Sequence, residues 1–137
     1  MRIVSLASGS KGNAYLIEHE QRALLVDCGL NFKTLSSRLA AATQAEVLGI
    51  VLTHSHEDHT QGLRLFLKHH PEVPVFANTM TAETVAKDCK LADDAFACFE
   101  NGQVFEVDAF KVHPFSIPHD TSDPVGYLVN VAGVTYF

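Results

Sequence analysis

Apolar positions come in short runs at the start of the chain. Arg2 to Leu6, Ala14 to Glu18 and Ala23 to Asp27 flank the turn Ser8-Gly9-Ser10-Lys11-Gly12-Asn13 and the polar stretch His19 to Arg22, a pattern that predicts a meander of antiparallel strands. The period then changes. Beyond Cys28-Gly29, Asn31 is placed to cap a helix whose apolar positions Leu35, Leu39 and Ala42 keep helical spacing. Val47 to Leu52 is a continuous apolar run and reads as a buried strand. Leu63, Phe66 and Leu67 recur at i, i+3 and i+4 ahead of Pro71, predicting a helix from about Thr60 to His70. A strand over Val73 to Ala77 and a helix over Thr79 to Lys90 follow. Strands near Val104 to Val107, Phe110 to Phe115, Val125 to Val131 and from Thr135 onward complete the pattern, with Gly133 in the last turn. Strands separated by helices, with meanders at both ends, predict an α/β or α+β sandwich layer, a mixed sheet with helices on one face, rather than a barrel or a bundle.

Composition narrows the class. The chain has 137 residues, 47% hydrophobic and 19% charged, enough apolar surface to close one core and too little charge for disorder. No repeat or linker divides it, so residues 1–137 are expected to form a single domain. No apolar run approaches the ~18 residues that span a bilayer, and Met1-Arg2-Ile3-Val4-Ser5 lacks the features of a signal peptide. The expected address is the cytoplasm, with no membrane partner. A formal net charge of -6 excludes a broad basic face, leaving a bound metal as a source of local positive charge. Cys28, Cys89 and Cys98 follow no zinc-finger spacing and read as small buried hydrophobes of a reducing compartment.

The chemistry concentrates after the Val47 to Leu52 strand. Thr53-His54-Ser55-His56-Glu57-Asp58-His59 places four potential metal ligands within six residues, where chance would produce this order on the order of once in a thousand. In an extended loop His54 and His56 project to one side and reach one ion, while Asp58 and His59, further round the corner, reach a second. Two ions so placed lower the pKa of a shared water and hold the oxygens of a phosphoryl or acyl centre, so hydrolysis is the natural output. Imidazoles with carboxylates favour Zn, Mn or Fe, and the lack of a thiolate argues against a closed structural zinc site.

Asp27 in Leu25-Val26-Asp27-Cys28-Gly29, followed by the histidine motif and Gly62-Leu63, resembles the first two signatures of the metallo-β-lactamase-fold hydrolases. The Ser8 to Asn13 turn and His119-Asp120-Thr121-Ser122-Asp123-Pro124-Val125-Gly126-Tyr127 resemble the YycJ/WalJ branch of that family, cytoplasmic exonuclease-like phosphodiesterases. The resemblance implies that His54, His56 and His119 hold a first metal. It assigns Asp58, also the catalytic carboxylate, and His59 to a second. Asp27 is implied to orient a ligand from behind. Ser10, Lys11 or Asn13, together with Asp120, are implied substrate contacts. Ile117-Pro118 delivers His119 from a strand end into a polar loop, in keeping with that role. The Ser8 to Asn13 turn is no nucleotide loop, because it lacks the Gly-Lys-Ser/Thr ending, and His69-His70 reads as a surface pair at a helix end.

The family fold is an αβ/βα sandwich whose bridging Asp and last His lie in its second half. The chain is therefore expected to be the N-terminal half, with an incomplete second metal site and weak activity or none by itself. The implied function is metal-dependent hydrolysis of nucleic-acid phosphodiesters. Thioester or lactone hydrolysis on the same fold and a catalytically silent metal-binding or assembly module are the alternatives. Because half a sandwich leaves one sheet face bare, a homodimer is expected to cover it.

Overall fold

In the computed structural model, which describes residues 2–10, 12–117, 124–131 and 133–136, the opening runs form three antiparallel strands. These are β1 (Arg2–Ala7), β2 (Ala14–His19) and β3 (Arg22–Val26). Glu20 and Gln21 take positive φ between β2 and β3, the backbone that matches a two-residue turn to the twist of its strands. Asn31 caps α1 (Phe32–Ala42), accepting from the Thr34 N–H at 2.9 Å. Next come β4 (Glu46–Val51), α2 (Glu57–Thr60), α3 (Leu63–His69), β5 (Val75–Asn78) and α4 (Thr79–Asp88). A 3-10 turn at Asp93–Ala95 leads to β6 (Phe96–Phe99), β7 (Phe105–Val107), β8 (Phe110–Ser116), β9 (Val125–Val131) and β10 (Val134–Tyr136).

Two sheets result. The first has six strands in the order β1-β2-β3-β4-β5-β6, antiparallel as far as β3 and parallel from there. The second has four antiparallel strands in the order β10-β9-β8-β7. Neighbouring residues of one strand serve different cores. Leu25 and Ile50 face Leu35, Leu63, Phe66 and Val85 of the helices. Leu24 and Val51 face Val107, Phe110, Val112 and Val129 of the second sheet. Burial on both faces is why β3 and β4 read as unbroken apolar runs.

Four expectations need correction. The face expected to be bare is covered from within by the second sheet, because the late strands do not add to the first sheet but pair among themselves and fold over it. The expected Thr60 to His70 helix starts only at Leu63, and a separate short helix, Glu57–Thr60, precedes it. In a continuous helix Gly62 N–H would donate back to the Asp58 carbonyl, but it donates to the Cys28 carbonyl at 2.8 Å, and the Asp58 carbonyl accepts from Asn13 N–H at 2.8 Å. Strand β6 was not anticipated: Phe96 packs toward the helices and Phe99 toward the second sheet, so neither face shows simple alternation. Of the three cysteines only Cys28 is buried, while Cys89 is half-buried and Cys98 exposed.

Candidate metal centre

β3 and β4 run parallel, so Asp27 and Thr53 emerge side by side from the same end of the sheet. Asp27 leaves its strand at φ 64°, a left-handed conformation that Asp tolerates better than most residues. Its N–H still donates to the Val51 carbonyl at 2.9 Å. The turn points a nearly inaccessible carboxylate, 2% exposed, across the start of the histidine loop. There Oδ1 accepts from Thr53 N–H at 2.8 Å and Oδ2 from Thr53 Oγ1 at 2.5 Å. His59 Nδ1 lies 2.7 Å from the same Oδ2. A carboxylate only accepts, so the proton of that contact is on Nδ1 and Nε2 points away from Asp27. Nε2 then faces Asp58, 3.5 Å from Oδ2.

The surrounding backbone is tightly joined. Asn13 N–H donates to the Asp58 carbonyl, Cys28 N–H to the His59 carbonyl and Gly29 N–H to the Asn13 carbonyl, each at 2.8 Å. Side chains at Gly29 have no room, since a Cβ there would lie 1.8 Å from the Asp58 carbonyl oxygen. From the second sheet, Val125 N–H reaches the Thr53 carbonyl at 3.0 Å and the Tyr127 hydroxyl donates to the Leu52 carbonyl at 2.5 Å.

The sequence-predicted residues fall as follows. His54 and His59 stack at 4.3 Å between ring centroids, and the His56 ring is 6.3 Å from that of His54. Asp27, His54 and His59 each bring one donor atom within 4.8 Å of the others, a partial metal site. Both Asp27 oxygens are already engaged, with Thr53 and with His59 Nδ1. Asn13 uses its side-chain amide on Asp58 Oδ2 at 3.2 Å and on the Gly9 carbonyl at 2.8 Å. Ser10 lines an open depression with Glu57, Asp58 and Gln61. Lys11, His119 and Asp120 lie outside the described residues; the flanking residues Ile117 and Val125 border a cavity of about 350 Å³ that also reaches His54 and His59. His69 stacks on Phe32 and His70 lies tilted against Phe66, so both rings are occupied with phenylalanines. Thr53 escaped the sequence reading, although its place beside Asp27 at the ends of two parallel strands was the available signal.

Environment separates the two stacked rings electrostatically. Burial, then the neighbouring His59, lowers the His54 pKa from its ordinary value. Burial is also the largest single influence on His59 and opposes its charge, but the hydrogen bond and charge of Asp27, with Asp58, outweigh it and raise the pKa. One end of the site thus favours a neutral imidazole and the other attracts a cation.

The chain is 32% identical over 125 residues to exodeoxyribonuclease YycJ of Bacillus anthracis, an alignment covering 89% of this chain and 47% of that protein. It is 28% identical over 129 residues to ribonuclease J of Mycobacterium tuberculosis, covering 85% of this chain and 23% of the relative. The chain thus spans about half the length of the first relative and about a quarter of the second. Zn(2+)-bound PqqB from Methylobacterium extorquens superposes with a TM-score of 0.78 at 16% identity, over 98% of this chain and 63% of that one. Residues 7–79, which carry Asp27 and the whole histidine motif, match the metallo-beta-lactamase superfamily, and the chain belongs to that superfamily.

Proposed function

We propose that this chain supplies the metal-binding part of a hydrolase acting on phosphodiester bonds of nucleic acid. One observation carries the reading: His59 Nε2 and Asp58 Oδ2 face each other at 3.5 Å while the other ring nitrogen is committed to buried Asp27. Two electron-pair donors held this close by a rigid backbone are suited to a cation between them. Nuclease relatives matching most of the chain support phosphodiesters over thioesters or lactones.

His54, His56 and His119 are then the ligands of a first ion, with Asp58 and His59 contributing to a second. Divalent ions here, zinc foremost with manganese or iron as alternatives, would supply Lewis acidity at the phosphoryl group and acidify a water. Asp58, steadied by Asn13, would contribute to holding the second ion and would accept a hydrogen bond from a water, orienting it for attack. Ser10, at the rim, and Asp120 contact the substrate. The chain is read as a single domain working in the cytoplasm, where its free thiols stay reduced. It also self-associates, through the edge strand β10 rather than through a bare face.

Elemental analysis of this chain and of its His56→Ala variant, paired with hydrolysis of bis(p-nitrophenyl) phosphate and single-stranded DNA by the full-length protein, tests the proposal. Bound metal that falls in the variant, together with phosphodiester turnover, is expected. Metal content indifferent to His56, or turnover of thioesters or lactones without phosphodiesters, would overturn it.

A further inference from the structure

We propose that Thr53 is a positioning residue that sets the tautomer of His54 and so turns the Nε2 lone pair of that ring toward the metal; the proposal rests on the metal-binding reading above. A threonine hydroxyl has one proton to give and two lone pairs to offer. Among the described residues, Thr53 Oγ1 has three hydrogen-bonding neighbours: Asp27 Oδ2 at 2.5 Å, His54 Nδ1 at 2.8 Å and His59 Nδ1 at 3.3 Å. Asp27 can only accept, so the hydroxyl proton goes to Oδ2. The oxygen then meets His54 with a lone pair, and His54 Nδ1 must carry the hydrogen between them. The ligating lone pair of neutral His54 is thereby placed on Nε2.

His59 is wired the same way without a relay, its Nδ1–H donating straight to Asp27 Oδ2 at 2.7 Å. A single buried carboxylate therefore fixes two rings, one directly and one through the Thr53 hydroxyl. The opposite tautomer of His54 would set two lone pairs against each other at 2.8 Å. Turning the Thr53 side chain to relieve that clash would break its 2.5 Å hydrogen bond to Asp27 Oδ2, and the residue cannot shift as a whole because its N–H is held by Asp27 Oδ1 and its carbonyl by Val125 of the second sheet.

The test uses the full 137-residue chain with nitrogen-15-labelled histidine. In the metal-free protein, NMR is expected to show His54 protonated on Nδ1, and Thr53→Ser to preserve that state. Thr53→Val, which keeps the shape and removes the hydroxyl, should give a mixed tautomer population and lower zinc affinity about 10- to 100-fold, with Thr53→Ser restoring it. If the valine variant does not fold, Asp27→Asn gives the same information. An asparagine can turn its NH₂ to Thr53, freeing the hydroxyl to donate to His54 and shifting its proton to Nε2. A His54 that stays protonated on Nδ1 in the folded variant, or a valine variant with parental zinc affinity, would overturn the proposal. A parent chain that shows the expected tautomer but takes up no zinc would instead sink the metal reading and leave the hydrogen-bond assignment standing.

Discussion

Asp27 accepts three hydrogen bonds from a position with almost no access to water. Replacing it by alanine strands two Thr53 donors and the His59 N–H, so we expect a loss of about 2–4 kcal/mol in denaturant unfolding. Asp58 is a different kind of carboxylate, with its side chain 32% exposed. Asp58→Asn keeps the shape and removes the charge that the proposed role at a second ion and an attacking water calls for. In the full-length protein it should lower kcat at least tenfold with little change in melting temperature, by steady-state kinetics and calorimetry. Equal activity of variant and parent would remove Asp58 from the chemistry. These two acids, both visible in the sequence, differ because one lies under the loop and the other at its rim.

Between elements, the site depends on contact too close for side chains. Gly29→Ala would drive its Cβ into the Asp58 carbonyl and within 2.4 Å of Asn13 N, separating the glycine-rich turn from the histidine loop. We expect a loss of more than about 3 kcal/mol and of bound metal, seen by unfolding and elemental analysis. At the other end of the sheet, Glu18 on β2 accepts from Arg2 on β1 and from Thr43 at the end of α1. These hydrogen bonds, Arg2 first, lower its pKa. Its small contribution is therefore present above the unfolded carboxylate value of about 4.3 and lost as pH falls through the lower folded value. An NMR titration should show the Glu18 midpoint rising in Arg2→Met. Elements with a clear period were legible: α1 with its Asn31 cap, the three opening strands, and β8 and β9. The break at Gly62 was not, because it is caused by Cys28 and Asn13, residues distant in sequence that take over the hydrogen bonds of the helix. The same holds for the site. The spacing of His54, His56, Asp58 and His59 names the candidate ligands, but only the pairing of β3 with β4 reveals that Thr53 couples Asp27 to His54.

Over the whole molecule, two cores share the first sheet, one under the helices and one under the second sheet. Phe110, 1% exposed, sits in the second core, so Phe110→Ala should cost about 3–5 kcal/mol and loosen the histidine loop with it, a coupling that hydrogen exchange at Thr53 and His54 would register. With the inner face covered, size exclusion coupled to light scattering should show a modest dimer through β10, and a monomer throughout the micromolar range would end the case for self-association. The link between Tyr127 and Leu52 carries a consequence for biosynthesis. These partners are 75 residues apart, and Thr53, next to Leu52, is gripped by Val125 just before Tyr127. A ribosome adding about 5–20 residues per second makes the histidine loop seconds before it makes the strand that clamps it. During that interval the start of the histidine loop lacks the two hydrogen bonds that join it to β9 in the folded chain, so that loop is the part of the site whose order depends on the last strands to be made.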